Sequence, residues 1–164
     1  MPQRVGIALG SNLGDRAEFL GTAANLLKKL AAPGEAFLIA SIYRTEPVDC
    51  PADSPEFYNT ALEIGYAGTA FELLGETQAI EKHLGRVSSN LANAPRCIDI
   101  DLLYFGEEQF VSERLILPHP RIHQREFVLK PLAEIRPDLR LPGQLKSIGE
   151  LAETILSSAI RLVG

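Results

Sequence analysis

Residues 97–105 read CIDIDLLYF, and the alternation inside that run decides the fold. Ile98, Ile100 and Leu102 fall on one parity and Asp99 and Asp101 on the other. In a strand of period two this puts the aliphatic side chains on one face and both carboxylates on the opposite one. The run is therefore predicted to be a β-strand with one face against helices and the other free for chemistry. Moving toward the N-terminus, a polar loop over 86–95 leads into it, preceded by a helix that opens on the capping box Thr69-Ala70-Phe71-Glu72. That helix has a buried stripe of Leu73, Thr77, Ile80 and Leu84. Before it, FYNTALEIGY (57–66) alternates as a strand, 47–55 is a proline-bearing loop, and FLIASIY (37–43) is a further strand. Ala32-Pro33-Gly34 stops a helix over 15–31, whose apolar residues are Phe19, Leu20, Ala23, Leu27 and Leu30. The opening RVGIALGS (4–11) reads as a buried strand turning at 10–14.

The order β-α-β-β-α-β defines an α+β fold: an antiparallel sheet with both helices on one face and the other face open. Beyond the core, the pattern predicts a hairpin over 107–117, a short helix over 126–135 ended by Arg136-Pro137, and a terminal helix over 147–162.

A chain of 164 residues, 46% hydrophobic and 23% charged, fits one globular domain, taken as residues 1–164. No apolar run approaches the roughly 20 residues of a membrane span, and the start carries no export signal, so a cytoplasmic location is expected. Cys50 and Cys97 have neither CxxC nor Cys/His spacing and read as reduced thiols. The net charge of -5 and pI near 5.2 argue against nucleic-acid or membrane-surface partners. Small molecules are the expected partners, and nothing calls for an obligate protein partner; a monomer is expected.

Two carboxylates about 7 Å apart on a strand repel one another unless a cation lies between them. Magnesium suits them, since it takes hard oxygen ligands, needs one or two protein carboxylates, and completes its octahedron with water and phosphate oxygens. The alternative is a pair of acids on a solvated sheet face. Around the pair the sequence gathers Lys82, Arg86, Arg96, Arg114, Arg121 and Arg125 with His119. Metal with arginines makes a polyphosphate site, although the arginines could instead pair with Glu107, Glu108 and Glu113. There is neither a GxxxxGK[ST] loop nor a GxGxxG run. His119 and His123 are four apart, but Pro118 and Pro120 forbid the helix that would aim both at one zinc. Phe57 and Asn59 share a strand face and could grip a flat heterocycle, with plain core packing of Phe57 as the alternative.

The runs ALGSNLGD, YRTEPV, FYN, PRCIDIDLLYFG and ERLILPHPRIHQREFVLKPLAEI resemble, in order and spacing from about residue 5 to 140, the 6-hydroxymethyl-7,8-dihydropterin pyrophosphokinase family. The resemblance implies a ferredoxin-like fold, ATP, two magnesium ions, and transfer of diphosphate from ATP to the pterin hydroxymethyl group in folate biosynthesis, with AMP leaving. It makes Asp99 and Asp101 the magnesium ligands and counts them, with Arg86 and Arg96, as catalytic. Thr45, Pro47, Val48, Phe57, Asn59 and Phe127 match positions that line the pterin pocket. Gln78, Glu81, Ile100, Leu102, Arg114, Ile116, His119 and Arg125, with the two catalytic arginines, match positions that touch ATP. Departures occur where well-known members carry two arginines and a tryptophan: this chain has Ser88, Ala92 and Asn93. Ala94 replaces a glycine and Pro120 a tyrosine. These departures leave a second possibility, a weakly active or inactive homologue that binds pterin or nucleotide. A ferredoxin-like RNA-binding module is a third, against which the acidic pI and the lack of aromatics interleaved with lysine both count.

Overall fold

The protein is described by a computed structural model covering residues 2–45, 56–85, 98–155 and 160–163. Eight strands and four helices are described: β1 (Gln3–Ser11), α1 (Arg16–Lys28), β2 (Leu38–Ile39), β3 (Tyr43–Thr45), β4 (Phe57–Tyr66), α2 (Ala70–His83), β5 (Asp99–Phe105), β6 (Phe110–Val111), β7 (Ile116–Leu117), α3 (Glu126–Ile135), α4 (Ile148–Thr154) and β8 (Ile160–Leu162). A short 3-10 turn at Ile122–Gln124 precedes α3. The main sheet runs β5-β1-β4-β3-β8, with β2 also on β4, and its pairings are antiparallel.

Both predicted core helices form, and their ends follow local chemistry. Asp15 caps α1 by accepting the Glu18 N–H at 3.2 Å. In α2 the Thr69–Glu72 capping box closes from both sides. Both helices pack on one face of the sheet, where Val5, Ile7 and Leu9 of β1, Leu62 and Ile64 of β4 and Ile98, Ile100 and Leu102 join Leu20, Leu27 and Leu73.

Three expectations change. FLIASIY is not one strand; it pairs as Leu38–Ile39 and again from Tyr43, and Thr60 Oγ1 donates to the Ala40 carbonyl between them. The terminal helix stops at Thr154, and residues 160–162 form β8 along β3. Strand pairing there satisfies backbone groups that β3 would otherwise present to water as an open edge, a gain that helical periodicity does not report. The second sheet face, expected to be open, is covered over part of its length by α3 and α4, whose Val128, Leu129, Leu132, Ile148 and Ala152 pack with Ala61, Leu103 and Tyr104. The hairpin is borne out as β6–β7, and α3 ends before Arg136-Pro137 as predicted.

Beneath α3 lies a carboxylate, Glu63, only 1% exposed. Arg4 Nε donates to it at 2.7 Å, Arg136 Nη1 at 2.5 Å, and the Tyr104 hydroxyl donates as well. Burial and the neighbouring Glu63 push the Tyr104 phenol well above its ordinary range. The Tyr104 ring lies directly over Gly6, where any Cβ would collide with it. Replacing Glu63 by Leu strands a buried hydroxyl and two guanidinium groups. Because both arginines are about 30% exposed and can turn to water, the expected loss sits near the lower end for a broken buried pair, about 3 kcal/mol. A urea titration should show it as a lower midpoint with unchanged slope, and Glu63→Gln should lose less.

Candidate active site

On the second face β1 presents small residues, Gly6, Ala8 and Gly10, alternating with the buried Val5, Ile7 and Leu9. Tyr104 covers Gly6 and Ala8 packs at the margin of the α3–α4 cluster, so the floor left uncovered lies at Gly10. Pairing places Asp101 beside Ala8 and Asp99 beside Gly10 on one side, with Ala61 and Asn59 on the other. Both aspartates are half-buried, while Ile100 and Leu102 between and after them are buried toward the helices, as the alternation predicted. A Cβ at Gly10 would lie 3.0 Å from Asn59 Oδ1 and 3.9 Å from Phe57 Cδ1. Both side chains therefore overhang this glycine, which confirms that they share a face. Asn59 is 5% exposed and its Nδ2 donates to Thr45 Oγ1 at 3.0 Å.

Among the described residues β5 is the edge of the sheet, and two groups tie its outer side. Glu81, buried on α2, accepts the Ile100 N–H at 2.8 Å, and the His119 N–H donates to the Leu103 carbonyl at 2.7 Å. The first bond places a carboxylate acceptor between the two aspartates along the chain. It also means that Glu81 and Ile100, each matched to a nucleotide contact in the sequence, engage one another.

His119 Nδ1 accepts the Arg121 N–H at 3.2 Å, which leaves the proton of the neutral ring on Nε2. Burial first, then Arg125 and Arg121, lower its pKa from the ordinary 6.5 to about 4, with Asp99 opposing. The ring is therefore neutral at pH 7 and can donate through Nε2.

Among the other predicted residues, Gln78 is exposed on α2. The Arg114 guanidinium lies 5.6 Å from the Phe71 ring centre, and Ile116 is exposed on β7. Arg125 stands at the N-cap position of α3 without a side-chain cap bond, its guanidinium 5.5 Å from the ring centre of the exposed Phe127. Arg86, Arg96, Pro47, Val48, both cysteines and the departures at 88–94 lie outside the described residues. The small-residue floor was not singled out from sequence, although its signal is present as G-I-A-L-G over 6–10. A cavity of about 620 Å³ opens at the opposite end of the sheet beside Arg4, Tyr104 and Arg136, but those three side chains already serve Glu63.

No group of three or more His, Cys, Asp or Glu side chains able to hold a metal occurs among the described residues. The donor set at β5 is two carboxylates beside a floor without side-chain bulk. That fits magnesium, which fills most of its shell with water and phosphate, and does not fit a closed zinc site.

Sheet, helices and polar end define a small α+β protein with its polar residues gathered at one sheet end. The profile of the 7,8-dihydro-6-hydroxymethylpterin-pyrophosphokinase (HPPK) family matches residues 6–137, and the chain belongs to that family. It is 47% identical over 129 residues to the 2-amino-4-hydroxy-6-hydroxymethyldihydropteridine pyrophosphokinase of Bacillus subtilis, covering 79% of this chain and 75% of that protein. The enzyme of the same name from Pseudomonas aeruginosa is 39% identical over 142 residues, 87% of this chain and 86% of that one. The folic acid synthesis protein fol1 of Pneumocystis carinii is 40% identical over 162 residues, yet the chain spans only 21% of its length. Among solved structures, Plasmodium falciparum HPPK-DHPS matches with a TM-score of 0.71 at 13% identity, over 94% of this chain and 44% of that one, a likeness of fold.

Burial of His119 in neutral form makes folding oppose its protonation. The unfolded chain binds the proton more readily between pH 6.5 and about 4, so stability should fall as pH drops through that window and be unaffected by this group above it. Urea midpoints at pH 7 and 4.5 should diverge less in His119→Gln than in wild type; equal divergence would exclude His119 as a source.

Proposed function

We propose that the protein transfers the terminal diphosphate of ATP to the hydroxymethyl oxygen of 6-hydroxymethyl-7,8-dihydropterin, releasing AMP, as a step of folate biosynthesis. The observation that carries this reading is the single polar row at the uncovered sheet end. Asp99 on β5, Gly10 on β1 and Asn59 on β4 lie side by side, so a phosphate-handling carboxylate and a heterocycle-binding amide are one strand apart. The hydroxymethyl oxygen attacks the β-phosphorus, the bond from that phosphorus to the oxygen bridging toward the α-phosphorus breaks, and the hydroxyl proton leaves to water.

Asp99 and Asp101 would hold two magnesium ions, which when bound neutralise phosphate charge and orient the polyphosphate. Thr45 Oγ1 accepts from Asn59 Nδ2, which turns Oδ1 to the same face as the aspartates, where it can accept from the pterin edge. Phe57 and Phe127 supply ring faces for the pterin, and Pro47 and Val48, by the family resemblance, contribute further pterin contacts. His119, neutral and protonated on Nε2, donates to phosphate and does not act as a base. Arg114 and Arg125, with Arg86 and Arg96, balance phosphate charge, and Gln78, Ile116 and the α2 flank near Glu81 border the nucleotide.

The strand order β5-β1-β4-β3 with α1 and α2 on one face supports a ferredoxin-like core. We read the protein as a monomer acting in the cytoplasm; no helix among the described residues is long and apolar enough to cross a membrane.

Incubating the protein with ATP, magnesium and the pterin should yield one AMP per pterin diphosphate. Asp99→Ala and Asp101→Ala should each lower that rate by at least about 100-fold with the fold intact by circular dichroism. Tight binding of both ligands without AMP would instead indicate a non-catalytic homologue. Separately, Asn59→Ala should weaken pterin binding by roughly 1–3 kcal/mol in calorimetry while a nonhydrolysable ATP analogue binds as before. Equal losses for the two ligands would remove Asn59 from the pterin site.

A further inference from the structure

We propose that Arg16 is a positioning residue for the pterin grip, acting from the first turn of α1 through the backbone on either side of Phe57. The inference rests on the reading that Phe57 and Asn59 face the pterin. Its starting point is where the sheet ends. Among the described residues, the last β3 pairing is Thr45 with Phe57, and the last β1 pairing is Ser11 with Tyr58. Phe57 is thus the final described rung on one side of β4 and lies past the final rung on the other. A backbone group at the end of a ladder is held only if another donor or acceptor takes it up.

Arg16 takes it up. Its Nη1 donates to the Glu56 carbonyl at 2.7 Å, and its guanidinium carbon lies 4.0 Å from the centre of the Tyr58 ring. Residues 56 and 58 flank Phe57, so one guanidinium holds both neighbours. Tyr58 points to the face opposite Phe57 and packs against the α1–α2 core, so the clamp grips from the back of the sheet and leaves the pterin side clear. Arg16 itself is held by the helix start. Gly14 turns the chain with φ +73°, at a position where a Cβ would lie 2.9 Å from the Phe19 ring, and Asp15 caps the helix. A flat guanidinium that bonds through its edge while stacking through its face performs both tasks at once; a lysine ammonium performs only one.

The test titrates 6-hydroxymethyl-7,8-dihydropterin into protein holding a nonhydrolysable ATP analogue and magnesium, in wild type, Arg16→Ala, Arg16→Lys and Asn59→Ala. Arg16→Ala should raise the pterin Kd roughly 3- to 10-fold, the size expected of one charge-assisted bond with a stacked cation. The ATP-analogue Kd and kcat at saturating pterin should stay within about twofold, and Arg16→Lys should fall between. A merely structural role would lower thermal stability or affect both ligands alike. Equal losses for both ligands, or no pterin effect in Arg16→Ala while Asn59→Ala still loses pterin selectively, would overturn the positioning role and leave the site reading standing. If wild type binds no pterin, or Asn59→Ala shows no selective loss, the site reading fails and this inference falls with it.

Discussion

Taking a carboxylate out of water costs several kcal/mol unless donors replace the lost hydration, and Glu63 obtains its donors from three separate elements. Arg4 comes from β1, Tyr104 from β5 and Arg136 from the end of α3, while Glu63 itself belongs to β4. One acid therefore ties together the strand that floors the site, the strand that carries Asp99 and Asp101, the strand that carries Asn59, and the helix that begins beside Phe127. Gly6 is part of the same arrangement, because only a residue without a Cβ lets the Tyr104 ring lie flat enough to reach Glu63. The network occupies the end of the sheet opposite the acid pair, on the far side of the register shift between Gly6 and Ile7 in the β1–β5 ladder.

The two ends of the second sheet face divide their tasks. At one end α3 and α4 bury Ala61, Leu103 and Tyr104, with Ala8 at their margin, and supply apolar stability; at the other, Gly10 leaves room above the sheet. Asp99 and Asp101 stand at the margin of that room on an edge strand, where backbone groups would ordinarily be exposed. Glu81 and the His119 N–H bond that edge, so the strand carrying the acids is held from α2 and from the segment after β7.

The alternation in CIDIDLLYF was enough to place Asp99 and Asp101 on one face and Ile98, Ile100 and Leu102 on the other, because a strand side chain has only two directions to choose from. Phe57 with Asn59, the capping box at Thr69 and the extent of α3 were legible for similarly local reasons. The C-terminal segment was not. Ser147 and Glu150 do start a helix, but the continuation to 162 depended on whether β3 had another neighbour, which no local pattern encodes. The covered part of the second face has no local signal, because α3 reads as an amphipathic helix without any indication of which sheet face receives it.

Local chemistry in the chain determined the secondary elements, the side of β5 that bears the acids, and the residue types able to handle magnesium, phosphate and a flat heterocycle. Tertiary structure alone decided which partners those side chains meet: that Glu81 is given to the Ile100 N–H, that His119 keeps its proton on Nε2, that Glu63 joins four elements, and that Arg16 reaches the end of β4. The physical reason is range. Periodicity and capping act over a few residues, whereas these contacts join positions from 19 to 73 residues apart along the chain, apart from the local Arg121–His119 bond, whose consequence still depends on burial and on Arg125.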